Sequence, residues 1–105
     1  MRGDLFRLPT RHDARGHEQR GPRYGVVVQS DDLLLSTVLV APTSRSAAPA
    51  SFRPVIDVNG TETRILPEQT RAIDTQRLGD FAGRLTASEL TELDRAYHDV
   101  LDLFR

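Results

Sequence analysis

Helical periodicity in this chain is confined to residues 86–104, and everything before them is cut into short extended runs. Thr86-Ala87-Ser88-Glu89 has the form of a capping box, in which the Thr hydroxyl takes the backbone N–H three residues on and Glu89 reaches back. Leu90, Leu93, Tyr97, Val100, Leu101 and Phe104 then recur at helical spacing, with acids opposite. A helix of this length is marginal alone, so its stripe must be covered, most simply by a sheet. The runs that can supply one are Leu5–Leu8, ended by Pro9, then Tyr24–Gln29 and Ser36–Val40, followed by Val55–Val58, Thr63–Leu66 and Arg71–Asp74. Asn59-Gly60 between two of them is a strong hairpin signal. Asp74 or Thr75 can cap a short helical turn over Gln76–Leu78, stopped by Gly79. Ser30-Asp31-Asp32 reads as a turn, and Leu33-Leu34-Leu35 fits neither pattern. Residues 10–22 and 43–51 read as polar loops. The expected fold is mostly β with a C-terminal helix: a small curled sheet or barrel plugged by that helix, in a single domain of 1–105.

Composition narrows the chemistry. The 105 residues contain no cysteine, which removes disulfides, thiolate zinc sites and thiol nucleophiles together. No apolar run approaches the ~20 residues of a membrane span, and Met1-Arg2-Gly3-Asp4 lacks the apolar core of a signal peptide. A cytoplasmic protein without membrane contact is the expectation. The net charge of −1 hides an asymmetry: all 14 basic residues are arginine, six of them lie within residues 1–25, and residues 86–105 carry five acids against two arginines. A basic front and an acidic back suggest an anion-binding face near the N-terminus. No phosphate-cradling loop, dinucleotide fingerprint or metal-ligand spacing is present, so catalysis is expected to run without a built-in metal or cofactor.

Three polar clusters can carry function. Gly16-His17-Glu18-Gln19-Arg20-Gly21-Pro22-Arg23 combines an imidazole, a carboxylate, an amide and two guanidiniums. Arg23 directly precedes a strand, and a rigidly held guanidinium suits paired hydrogen bonds to phosphate. His17 and Glu18 suit proton exchange near neutral pH, although a His-Glu pair in a loop is more often simply solvated. Thr43 opens the next loop in this reading, followed by Ser44 and Arg45; a hydroxyl there can donate to a phosphate oxygen or merely cap a turn. Glu68-Gln69-Thr70-Arg71 lies at a further strand end. Strand-end loops of a small barrel can converge on one rim. Phe6, Tyr24 and Phe52 are candidates for stacking on bases and equally for the core.

These residues also carry a resemblance. Arg2-Gly3-Asp4-Leu5 resembles the opening strand of the MazF/PemK (Kid-like) toxins of type II toxin–antitoxin systems. Residues 16–23 resemble that family's G-[SH]-E-Q-x-G-x-R loop. Val38-Leu39-Val40-Ala41-Pro42-Thr43-Ser44 resembles V-V-A-P-[IV]-T-S, and Leu66-Pro67-Glu68-Gln69-Thr70-Arg71-Ala72-Ile73-Asp74 resembles L-[LD]-[EQ]-Q-[IP]-R-[TA]-I-D. The four motifs stand in order over nearly the whole chain. The resemblance implies an SH3-like, PemK-type barrel acting as a homodimer. It implies a metal-independent endoribonuclease that cuts single-stranded RNA at short sequences, using the RNA's own 2′-OH as nucleophile. It also implies a cognate antitoxin whose disordered C-terminal segment lies across the RNA site. By position, Arg23 matches the family's catalytic arginine, Thr43 its phosphate-contacting threonine, His17 the histidine of the PemK-like branch, and Glu68 an acid proposed as base. Glu18 belongs to the matching loop. Gln19, Arg20, Ser44, Arg45, Gln69 and Arg71 become candidate RNA contacts. Where that branch has an arginine two residues before the acid, this chain has Leu66. The Asn-Asp…Asn-Arg stretch usual after the second strand is replaced by Gln29-Ser30-Asp31-Asp32-Leu33-Leu34-Leu35. A CcdB-like gyrase-binding toxin is disfavoured, because the chain has no Trp and ends Leu103-Phe104-Arg105. The presence of both Arg23 and Thr43 argues against an inactive, antitoxin-binding homologue.

Overall fold

In the computed structural model, which describes residues 1–9 and 23–103, the extended runs pair into one antiparallel sheet. The strands are β1 (Asp4–Leu8), β2 (Arg23–Val27), β3 (Thr37–Ser44), β4 (Val55–Val58), β5 (Thr61–Ile65), β6 (Arg71–Asp74) and β7 (Phe81–Arg84), and the helix α1 spans Ala87–Leu101. Their order is β4-β5-β3-β2-β1-β7, with β6 also on β3. The long strand β3 organises the rest. Along one edge it pairs with β2; along the other, β6 takes residues 37–40 and β5 takes Thr43 and Ser44. Sharing one edge between two partners turns the sheet back on itself into a nearly closed barrel.

Here the structure corrects one expectation. β3 does not end before Pro42 but runs through it to Ser44, so Thr43 is a strand residue and not the start of a loop. The proline is tolerated because it sits where the edge passes from β6 to β5, a gap that asks residue 42 for no ladder donor, while its carbonyl accepts from the Leu66 N–H at 2.9 Å. Two further elements carry too little periodicity to be read from sequence: the four-residue β7, and the 3₁₀ turn Pro67–Gln69. The helical turn runs over Thr75–Arg77, one residue earlier than expected, and of the two candidate caps it is Asp74 whose side chain caps it. Asn59 and Gly60 both take positive φ, 52° and 83°, so β4 and β5 join through the tight turn expected of Asn-Gly.

Alternation along the strands sorts apolar side chains into two layers. Leu5, Val26, Ala41, Ile56, Val58 and Ile65 pack with Leu85 and with Leu93 of α1. Leu8, Val27, Val38, Val40 and Ile73 form the other layer. Gly25 lies against the second layer, where a Cβ would stand 2.4 Å from Val40 Cγ1 and 2.8 Å from a Leu8 methyl; only glycine fits.

The capping box forms in full: Glu89 N donates to Thr86 Oγ1 at 3.1 Å and Thr86 N donates to Glu89 Oε1 at 2.9 Å. α1 buries Leu93 and Ala96, with Leu90 and Tyr97 packed partly beside them. Tyr97 Oη and Thr70 Oγ1 share a hydrogen bond of 2.5 Å, and burial of the ring raises the Tyr97 pKa above its ordinary value. The apolar stripe departs from expectation at its end. Leu101 is exposed, the helix stops at Asp102 in a left-handed conformation, and Phe104 lies outside the described residues. Leu33, Leu34 and Leu35 stand out in solvent between β2 and β3, Leu34 being 93% exposed. Among the described residues no helix is long and apolar enough to cross a membrane.

Candidate functional site

A cleft of about 580 Å³ opens where the ends of β1, β2 and β3 face the β4–β5 turn. Arg7, Arg23, Tyr24, Thr43 and Arg45 are on its sheet side, and Val58, Asn59, Thr61 and Thr63 come from the hairpin. The register explains the grouping. Arg7 stands opposite Tyr24, and Leu8 opposite Arg23, in the β1–β2 ladder. The β2–β3 register, with Gly25 opposite Pro42, brings Thr43 to the same end of the sheet, where its hydroxyl donates to the Tyr24 carbonyl at 3.0 Å. Thr43 is only 2% exposed, so its hydroxyl is held in place, and its proton is already committed within the sheet. Ser44 is equally buried; its Oγ accepts from the Ser46 N–H at 3.2 Å and shapes the chain as it leaves β3 towards exposed Arg45.

The cleft is cationic. Among the described lining residues are three arginines and no carboxylate. Three guanidiniums around one concavity focus a positive field that attracts an anionic ligand. The opposite wall offers hydroxyls and an amide, groups that both donate and accept.

The sequence candidates divide. Arg23, Thr43, Ser44 and Arg45 come together at this cleft. His17, Glu18, Gln19 and Arg20 lie outside the described residues. Glu68 and Gln69 belong to the 3₁₀ turn after β5, Arg71 begins β6, and none of the three lines the cleft. Convergence of all three clusters on one rim is therefore not what the described residues show. Glu68 is held instead by Arg53, with Nη2 to Oε2 at 2.7 Å and Nε to Oε2 at 2.9 Å. The Arg53 guanidinium also lies 5.3 Å over the Phe52 ring and donates to the Ala48 carbonyl. Leu66, which stands where the PemK-like pattern has arginine, is buried and 1% exposed; the cation beside Glu68 comes from Arg53 instead. Of the three stacking candidates only Tyr24 lines the cleft. Phe6 meets Phe81 edge-on at 5.8 Å, and Phe52 sits with Arg53.

Sequence reasoning missed Arg7 and the hairpin residues Asn59, Thr61 and Thr63. Arg7 is exposed near the end of β1, and its spacing from buried Leu5 is too weak a signal to single it out. The hairpin residues gave none, because nothing local to residues 59–63 says what they face. Among the described residues there is no group of three or more His, Asp or Glu side chains placed to hold a metal.

Fold and cleft thus define a small antiparallel barrel, closed by a C-terminal helix and carrying a cationic cleft at its strand ends. Residues 1–101 match the family model described as the PemK-like, MazF-like toxin of type II toxin–antitoxin systems. The chain is 40% identical over 104 residues to the Mycobacterium tuberculosis protein Rv3098A, covering 98% of both chains. It is 32% identical over 115 residues to the endoribonuclease MazF9 of the same organism, covering 98% of this chain and 97% of that one. The chain belongs to the PemK/MazF toxin family. Solved structures agree in fold: a mycobacterial endoribonuclease in complex with its cognate antitoxin superposes with a TM-score of 0.82 at 14% identity, over 100% of this chain and 97% of that one. The M. tuberculosis toxin MazF-mt6 gives 0.79 at 19% identity, over 99% and 100%.

Proposed function

We propose that this toxin is an endoribonuclease that cuts single-stranded RNA at short sequences, without a metal, and so blocks translation and growth. The observation that supports the reading best is the placing of Arg23 and Thr43, on neighbouring strands, in one cleft whose described lining has no carboxylate. In the proposed step the 2′-oxygen of the RNA attacks the adjacent phosphorus as its proton leaves. The bond from phosphorus to the 5′-oxygen breaks, and that oxygen takes up a proton. The products are a 2′,3′-cyclic phosphate and a 5′-hydroxyl. The nucleophile comes from the substrate, which fits a chain without cysteine. The protein has to stabilise charge on the phosphoryl oxygens and move two protons. Arg23 carries the first task, held at the start of β2; Thr43, beside it, would have to turn its hydroxyl proton from the Tyr24 carbonyl to contact the phosphate. His17 and Glu18 are the proton-transfer candidates from the sequence motif before Arg23. Glu68, paired with Arg53, would have to leave that partner to act as a base.

In this reading residues 1–105 form one toxin domain working as a homodimer in the cytoplasm. An acidic, extended antitoxin segment competes with RNA for the cationic cleft. The solved relatives described as an endoribonuclease with its cognate antitoxin and as MazE–MazF of Deinococcus radiodurans, the latter 21% identical with a TM-score of 0.77, make that partner class the natural one. The test is to incubate the purified protein with a long RNA in EDTA and map the ends. Cuts at a recurrent short sequence, leaving 2′,3′-cyclic phosphate and 5′-hydroxyl ends, are expected. Intact RNA, or 5′-phosphate ends, overturns the reading.

A further inference from the structure

We infer that Arg7 is a second phosphate contact, which grips the RNA backbone at a nucleotide flanking the cut and sets substrate affinity. This deepens the ribonuclease reading and rests on it. Arg7 lines the cleft with Arg23, and neither a hydrogen bond nor an ion pair engages its guanidinium among the described residues. Its backbone, by contrast, is fixed on both sides. It faces Tyr24 in the ladder, its N–H donates to the Asp80 carbonyl at 2.9 Å, and its carbonyl accepts from the Gly79 N–H at 2.7 Å. That approach depends on glycine, because a Cβ at residue 79 would lie 2.8 Å from the Arg7 carbonyl oxygen. With the backbone already fixed, closing on an anion costs only the rotamer freedom of the side chain, and the planar guanidinium repays it with paired hydrogen bonds.

The neighbourhood selects the ligand class. Tyr24, opposite Arg7, packs partly against the core layer of Leu5 and Val26 and borders the cleft with the rest of its surface, and Asn59 and Thr61 on the facing hairpin offer hydrogen-bonding groups. Two cations beside an aromatic ring and an amide fit a polynucleotide of at least two phosphates better than an isolated anion. Arg23 then serves the reacting phosphate and Arg7 the next one along the strand.

The test compares wild type with Arg7→Gln and Arg7→Lys, with Arg77→Gln, an exposed arginine outside the cleft, as control. Thermal melts establish that each variant is folded. Binding of a short 2′-O-methyl RNA of randomised sequence, which lacks the nucleophile, is titrated against salt. Arg7→Gln should weaken binding about tenfold, the scale of one charged hydrogen-bonded contact, and lower the salt slope by about 0.7. In cleavage of long RNA it should raise KM by a similar factor with kcat changed much less. Arg7→Lys should keep the salt slope and recover part of the affinity; Arg77→Gln should behave as wild type. Folded Arg7→Gln with wild-type affinity, salt slope and KM overturns the inference while RNA cleavage by wild type leaves the ribonuclease reading standing. A fall in kcat alone also overturns it, because Arg7 would then act on the reacting phosphate. A wild-type protein that neither binds nor cuts RNA overturns both.

Discussion

The two ends of β1 carry the same residue type in opposite electrostatic settings. At its start, every nearby arginine is matched. Arg84 Nε meets the buried Asp4 carboxylate at 2.8 Å, which raises the Arg84 pKa. Arg2 meets Asp94 of α1 at 2.6 Å and donates through Nε to the Val28 carbonyl at 3.0 Å. The Arg2 N–H donates to Asp31 at 2.8 Å, and together with the N-terminal charge it holds the Asp31 pKa below the usual carboxylate value. At the other end, Arg7 shares a cleft with Arg23 and Arg45, and the described lining holds no carboxylate. The first end ties the opening residues, β7 and the helix to the sheet. At the second, the Arg7 guanidinium has no partner among the described residues and keeps its charge for something that arrives from outside. Arginine content therefore says little about function; where the acids fall relative to the arginines says much.

Substitutions at the two ends should separate along the same line. The largest effect is expected for Arg23→Ala: a loss in cleavage rate on the order of 10²–10³, with a melting temperature near wild type. Single-turnover cleavage beside a thermal melt checks it, and an equal rate loss in Arg84→Ala would erase the contrast between the ends. Gly25→Ala, in the sheet common to both, should cost about 1–3 kcal/mol in urea unfolding, because its Cβ has to displace Val40 and Leu8. Thr86→Ala removes one half of the capping box and should cost about 1 kcal/mol by the same measurement.

The smallest effect sharpens the matched end. Asp31 has a lowered pKa in the fold, so its contribution is complete above the ordinary carboxylate pKa and is lost as pH falls through the folded value. Unfolding followed against pH should show Asp31→Asn less stable than wild type near neutrality and converging with it in acid. A constant gap at all pH values would assign the cost to packing and not to charge.

How much was legible follows from the range of the interactions. The capping box, the Asn59-Gly60 turn and the Asp74 cap were readable because each is completed within four residues of chain. Arg23 and Thr43 were readable as candidates through their motifs. That Thr43 lies within a strand was not, because the tolerance of Pro42 depends on two other strands sharing an edge of β3. Pairing of Glu68 with Arg53 was equally hidden, since it joins residues from separate loops.

The sequence by itself determined the class of this protein. Short extended runs, one capped amphipathic helix and an ordered set of motifs are local patterns, and local patterns survive in one dimension. Tertiary structure alone decided which cations share a cleft and which are neutralised. Arg7 and Arg84 are both strand arginines on the β1 side of the sheet, and no property of either residue tells them apart. The β1–β7 register gives Arg84 its carboxylate, and the register of β1 with β2 sets Arg7 opposite Tyr24 in the cleft, because charge acts through space and not along the chain.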